Sequence, residues 1–401
     1  MTGAGGAGGA TTEKRVEIFS WWVAPGEAEA LQALVDVNKT RNPNDRIFNA
    51  AAANHDTARA LLATRLTPPN QPPDLFQQGA ADLGAFVAAN PGKLTRLNEF
   101  FAAQGLTSPT VFQEVLDNIT VGTDILAMPV NIHRENSLFY NKQIFAANNL
   151  TPPTTIPELL AVCATLKAAG ITPLATGSEG WILRIMFNSL AMGSMGSQPF
   201  HDFMTKSGGV TSHAAALKTA IDVFANVLNN YTNITDFTPD FGWTQAADVV
   251  HSGQAAMYFH GDWAKGYYVQ LGWTPGIDFG VVGAPGASDT FWYGVDTFSL
   301  PVGALDVPGA MDFLTTIASI DGQVAFNKLK GSSPVRSDVP ANRLDAEGQK
   351  TQADLLNAAI RQPVIGKDAY DNAMLAFAQS PRAQADKDTL YNVYVTSPPM
   401  P

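Results

Sequence analysis

Val16-Glu17-Ile18-Phe19-Ser20-Trp21-Trp22, followed after a short gap by Glu27-Ala28-Glu29-Ala30-Leu31-Gln32-Ala33-Leu34-Val35, is the stretch on which the fold turns. Val16, Ile18 and Phe19 suit a sheet. Leu31, Leu34 and Val35 recur at helical spacing. The pair reads as a strand, a loop with two adjacent indoles, and an amphipathic helix. Two tryptophans at a strand end fill a core poorly, because successive side chains point to opposite sides and each buried indole N–H needs an acceptor. They suit the floor of a pocket; packing at a domain edge is the other reading.

Working outward, Arg46-Ile47-Phe48-Asn49-Ala50-Ala51 reads as a second strand. A helix over 56–66 follows, capped by Asp56 or Asn54. The proline-rich run 67–73 breaks regular structure and feeds a third strand, Asp74-Leu75-Phe76-Gln77-Gln78-Gly79. This alternation predicts a parallel α/β sheet. Ligands of such sheets sit at the carboxyl ends of the strands, and Trp21, Trp22, Gln77 and Gln78 all lie there.

The length of 401 residues exceeds what one compact core serves, so two lobes are expected. The extended run Pro129-Val130-Asn131-Ile132-His133-Arg134 is placed at a first crossing between them. A helix over 156–169, a loop over 177–181 presenting Trp181, and helical segments over 183–192 and 213–229 make the second lobe more helical. The stretch 243–268 reads as helix, glycine stop, apolar strand, then a Gly261-Asp262-Trp263 turn in which Asp262 can cap a new helix. Crossings two and three fall within 291–301 and 327–334.

A net charge of -11 argues against nucleic acid and anionic membrane surfaces as partners. No run of about 18 apolar residues is present to span a bilayer. The single cysteine, Cys163, sits in an apolar helical stripe and reads as a buried, inert thiol. Residues 1–13 open with a Gly/Ala/Thr run that reads as a flexible linker. It suits a mature protein whose signal or lipid-anchor segment has been removed, and equally the tail of a cytosolic protein.

None of the six histidines pairs at i, i+4, and there is no cysteine cluster, so no metal is expected. No nucleophile elbow, P-loop or dinucleotide fingerprint follows a strand. Glu27, Asp262 and Asp296 are the carboxylates that a glycoside hydrolase would need to bring together; Asp262 also reads plainly as a cap, and Glu27 as a first-turn charge favoured by the helix dipole. At least five of the seven tryptophans fall in loops or at element ends. Sugars present C–H faces that stack on indoles and hydroxyls that need carboxylates, amides and ammonium groups. Indoles beside Glu27, Gln77, Asn131, Asp296 and Lys330 meet that need. For Trp263 and Trp292, packing is an equal alternative.

From about residue 14 to the end the chain resembles the extracellular solute-binding proteins of carbohydrate ABC importers. The resemblance rests on Ser252-Gly253-Gln254-Ala255-Ala256-Met257 followed by Gly261-Asp262-Trp263, and more weakly on Val281 to Pro285. The entry Phe19-Ser20-Trp21-Trp22, the Pro73-Asp74 run, Pro129 to Arg134, and Leu329-Lys330-Gly331-Ser332 are similar to the glucose-binding branch. It implies a two-lobed α/β periplasmic-binding fold of type II with three hinge crossings and the sugar closed between lobes. The lobes would be 14–130 with 297–332, and 131–296 with 333–401. The site it implies comprises Trp21, Trp22, Glu27, Gln77, Gln78, Asn131, His133, Trp181, Trp243, Trp263, Asp296 and Lys330. It further implies an extracytoplasmic, lipid-anchored monomer that needs no cofactor and serves the permease subunits. Two positions depart from the glucose-binding pattern. Gly79 stands where such relatives can carry a histidine, and Gly366-Lys367 falls near a second one. A larger sugar, or other hydroxyls met by Lys367 or Gln78, would account for this. An enzyme acting on carbohydrate and a lectin-like adhesin are the alternatives.

Overall fold

The computed structural model describes residues 13–397 apart from 53, 210, 235–240 and 365–366. The expected linker therefore lies almost wholly outside the described residues, as does Gly366. Strand β1 (Lys14–Phe19) buries Val16 and Ile18 completely. Helix α1 (Glu27–Arg41) follows, and its Leu31 and Leu34 face the same core. Strand β2 (Asp45–Asn49) lies parallel to β1, with Val16 opposite Ile47. Helix α2 (His55–Arg65) is capped by Asn54, whose side chain accepts from the Thr57 N–H; of the two expected caps it is the one used. Strand β3 (Leu75–Gly79) pairs parallel with β1 on the other side, Ile18 opposite Leu75.

The expectation of an all-parallel sheet holds for these three strands only. Asp296–Ser299 pairs antiparallel with β3, and Met128–Pro129 lies antiparallel beyond it. The reason is connectivity. Met128–Pro129 leads out of this sheet into the second core, and Asp296–Ser299 leads back, so neither is fed by a βαβ crossover.

A second sheet has the order Phe279–Gly283, Ser137–Asn141, Ala255–His260, Thr172–Ala175. Helices Ile156–Ala168, Gly180–Met195 and Ala214–Tyr231 pack with it around a separate core. Trp181, expected in a loop over 177–181, lies in the first turn of Gly180–Met195, with 177–179 as the lead into it. Cys163 is fully buried in that core, and burial pushes its thiol up to about 12. Ellman titration is expected to find no fast-reacting thiol in the native protein and one after denaturation.

A short third sheet, His133–Arg134, Thr290–Gly294 and Ile360–Pro363, joins the two cores. Strand alternation does the joining: Phe291 and Tyr293 pack into the first core, whereas Trp292 packs into the second against Phe200. Trp292 is 1% exposed, so of its two expected roles packing is the one realised. Three connecting segments are bonded to one another. The Val130 N–H donates to the Asp296 carbonyl (2.9 Å), and Ile132 and Ser333 exchange both backbone bonds (2.8 and 2.9 Å). Gln323 and Asn327 donate side-chain N–H groups to the Val130 carbonyl. No described helix is long and apolar enough to cross a membrane.

Candidate functional site

Asp296 opens the strand that pairs with β3, directly opposite Gly79. Its carboxylate gathers three neighbours from distant parts of the chain. The Asn131 amide donates to Oδ2 (3.1 Å), while Asn131 Oδ1 accepts the Asp296 backbone N–H (2.9 Å). Gln77 Nε2 donates to Oδ1 (3.3 Å), and Gln77 Oε1 accepts the Trp21 backbone N–H (3.2 Å). His133 Nε2 lies 3.1 Å from Oδ2, and its Nδ1 lies 2.5 Å from Asp262 Oδ1. Asp262 is thus not the side-chain cap expected of it. Its second oxygen accepts the Arg134 N–H (2.8 Å), and the helix Ala264–Gln270 begins without a side-chain cap.

The charges explain one another. Burial alone would push the Asp296 carboxyl up. The bond from His133, the positive charge there and on Lys330, and the Asn131 bond outweigh burial and hold it well below the usual carboxylate range. Burial opposes charge on His133, but Asp262 and Asp296 raise it above its ordinary value. The signs give a pH window. A raised histidine contributes stability that is full below its unfolded pKa, about 6.5, and lost as pH rises through the folded value. A depressed aspartate contributes above about 3.9 and loses the contribution only as pH falls through its folded value. The cluster is therefore strongest between about pH 4 and 6.5. In a series of melts from pH 6.5 upward, Tm is expected to fall, and His133→Gln is expected to flatten that slope.

A second ion pair closes the floor. Lys330 Nζ donates to Glu27 Oε1 (2.6 Å), with side chains 3% and 12% exposed. Glu27 is the first residue of α1, where the helix dipole favours a carboxylate. Lys330 ends the helix Ile320–Lys330, and Gly331 at φ 93° supplies the left-handed stop that turns the chain there. The ammonium stands 5.8 Å from the Trp22 ring and 5.9 Å from the Trp263 ring.

The indoles divide. Trp22 is 1% exposed and packs on Phe298 and Phe326, so it lies beneath the site and does not face it. Trp21, Trp181, Trp243 and Trp263 are partly exposed. Trp263 meets the His133 ring edge-on (4.9 Å) and Trp181 at 6.2 Å. Its ring folds back over Gly261, where a Cβ would sit 1.9 Å from it, so the glycine is required for this placement. Trp181 donates its indole N–H to Glu179 (2.8 Å). Gln78 is not brought to the site. It points to the other face of β3 and donates to Ser299 Oγ (2.9 Å), as the two-residue period of a strand dictates for the neighbour of Gln77.

Two contributors escaped the sequence reading, and a third, Asp262, was read as a cap or a candidate hydrolase carboxylate and not as a partner of His133. His55 meets Trp21 edge-on (4.9 Å), and Asp82 lies 3.8 Å from His55 and 3.2 Å from where a Gly79 Cβ would be. The corner beside Asp296 is thus lined by a His–Asp pair from α2 and the segment after β3. Its only sequence sign was the missing side chain at 79. The Lys367 side chain, expected as a possible partner for hydroxyls, lies outside the described residues.

A family model for the bacterial extracellular solute-binding proteins matches residues 20–324. The chain belongs to that family. An uncharacterised ABC transporter extracellular-binding protein from Pyrococcus horikoshii is 32% identical to this solute-binding protein over 342 residues, covering 83% of this chain and 74% of that one. A probable sugar-binding periplasmic protein from Brucella suis is 29% identical over 397 residues, covering 98% and 90%. Among solved structures, the bacterial receptor AcbH, described as exclusively preferring β-D-galactopyranose, superposes with a TM-score of 0.78 at 17% identity, covering 95% of this chain and 97% of that one. The solute-binding protein shares that two-lobed α/β fold, as expected from the sequence.

Proposed function

We propose that this solute-binding protein is the sugar-capturing receptor of an ABC importer, working outside the cytoplasm and passing its ligand to membrane permease subunits. The observation that carries the reading is the run of contacts that links the partly exposed Trp181, Trp243 and Trp263, through His260 and His133, to Asp296, a carboxylate held ionised, with the partly exposed Trp21 joined to it by its backbone N–H through Gln77. Indole faces stack on the C–H faces of a pyranose, and a fixed carboxylate accepts paired hydroxyls. The names of the Brucella suis relative and of the galactopyranose receptor support the same ligand class.

The lobes are 14–130 with 297–332 and 131–296 with 333–401, joined by the three bonded crossings. A sugar held by Trp21, Glu27 and Gln77 on one side and by Trp181, Trp243 and Trp263 on the other favours the closed arrangement by binding it better. At the outer edge, Arg59 of α2 lies 3.7 Å from Asp368, on a helix packed in the second core. Both are exposed, and the pair adds little to closure. The receptor is a monomer, lipid-anchored in its precursor, that takes a monosaccharide such as glucose or a small oligosaccharide. We read it as a binding protein and not an enzyme; that Asp262 is bonded to His133 and Arg134, and Glu27 to Lys330, supports structural and positioning roles for these carboxylates. Calorimetric titration with a panel of mono- and disaccharides, with chromatography of each mixture, tests this. One sugar class is expected to bind saturably at 1:1 without product. Turnover, or no binding by any sugar, would overturn the reading.

A further inference from the structure

His260 ends the strand Ala255–His260 and is fully buried. Among the described residues, neither of its ring nitrogens has a hydrogen-bond partner. Four aromatic rings stand around it. Tyr258 stacks on it at 4.6 Å and 11°, and Trp243 at 5.4 Å and 17°. Trp181 approaches at 5.3 Å and 48°, and Trp263 at 4.9 Å and 71°. Three of these four rings are the second lobe's site indoles. They come from three different elements: the first turn of Gly180–Met195, the first residue of Trp243–His251, and the turn before Ala264–Gln270. Among the described residues, Trp181 and Trp263 touch each other, while Trp243 reaches them through His260.

We propose that His260 is a positioning residue for ligand binding: an imidazole that sets the mutual tilt of Trp181, Trp243 and Trp263, and hence the shape of the indole wall that the sugar meets. The proposal rests on reading that wall as part of a sugar site. A buried polar atom without a partner is unfavourable and rare. An aliphatic side chain would fill the same space without that cost, so filling does not explain an imidazole here. Orientation does. A flat ring offers faces for Tyr258 and Trp243 to stack on, and N–H and C–H edges that meet the tilted indoles through weak contacts with their π systems. The cage takes the uncharged ring. Burial holds His260 well below its ordinary pKa, and the charges on Lys330 and His133 add to this.

The test uses His260→Ala, His260→Leu and His260→Phe in the full chain. Near-UV circular dichroism of the ligand-free protein reports the coupling of the indoles. Calorimetry with whichever panel sugar the wild type binds reports affinity, and far-UV spectra confirm folding. His260→Ala and His260→Leu are expected to change the near-UV bands and weaken affinity tenfold or more. His260→Phe is expected to restore the bands and bring affinity to within threefold of wild type. Folded Ala or Leu variants with wild-type bands and affinity would overturn the proposal, as would a folded Phe variant that restores neither. If His260→Ala does not fold, the Leu and Phe variants decide: equal affinities contradict a role for the flat ring. A wild-type protein that binds no sugar at all fails before any variant is compared. That outcome removes the site reading itself, and this proposal with it.

Discussion

Asp296→Ala is expected to weaken sugar affinity about 100-fold or more while leaving the chain folded. Hydrogen bonds to a charged group each contribute about 1.5–3 kcal/mol. A carboxylate fixed by Gln77, Asn131 and His133 has no reorganisation left to do when hydroxyls arrive. The loss exceeds that of a rim charge because the side chain is only 15% exposed. Removing it also strands the His133 cation with Asp262 alone, so a fall in Tm accompanies the loss of affinity. Asp296→Asn separates the two effects: it keeps the shape and removes the charge. Calorimetry on both variants checks this, with circular dichroism confirming the fold. Wild-type affinity in two folded variants would place the ligand elsewhere.

Trp243→Ala is expected to weaken affinity about 30-fold, near 2 kcal/mol, through lost stacking and lost apolar contact. Trp243 starts its helix, is partly exposed, and is buttressed by His260 and by Tyr267 at 5.3 Å. The Tyr267 hydroxyl in turn donates to Asp248 (2.8 Å). The indole is therefore held from behind, and its exposed part is the face proposed to meet the sugar. Trp243→Phe keeps an aromatic face and should recover about half of the lost binding energy. Asp296 sits on a strand of the first sheet and Trp243 heads a helix beside the second, and among the described residues no hydrogen bond or ring contact links them, so the double variant should lose close to the sum. Titration of the single and double variants measures this. A Trp243→Ala protein that binds like wild type would remove the second lobe from the site.

The first lobe was legible because its signals are local. The β1 pattern, the α1 periodicity, the Asn54 cap and the proline break before β3 each act within a few residues, and each survives in the fold. The site was legible as a set of residue types and less so as an arrangement. Gln78 was placed with Gln77 at the end of β3, but neighbours on a strand point to opposite faces, and Gln78 went the other way; Trp22, beyond the end of β1, is buried on Phe298 and Phe326 beneath the site. The His133 link to Asp262 and Asp296 spans 129 and 163 positions. Nothing local encodes it, because it exists only once the crossings are bonded side by side. The antiparallel strand at Asp296 escaped for the same reason. His55 and Asp82 reached the corner beside Gly79 through the packing of α2, which no spacing rule reports.

The central claim is that a sugar is captured between lobes that close on it. Small-angle X-ray scattering of the protein with and without saturating sugar tests it most directly. A smaller radius of gyration with sugar, abolished by Asp296→Ala, is the expected result; the same radius in both states, with binding verified by calorimetry, would contradict it.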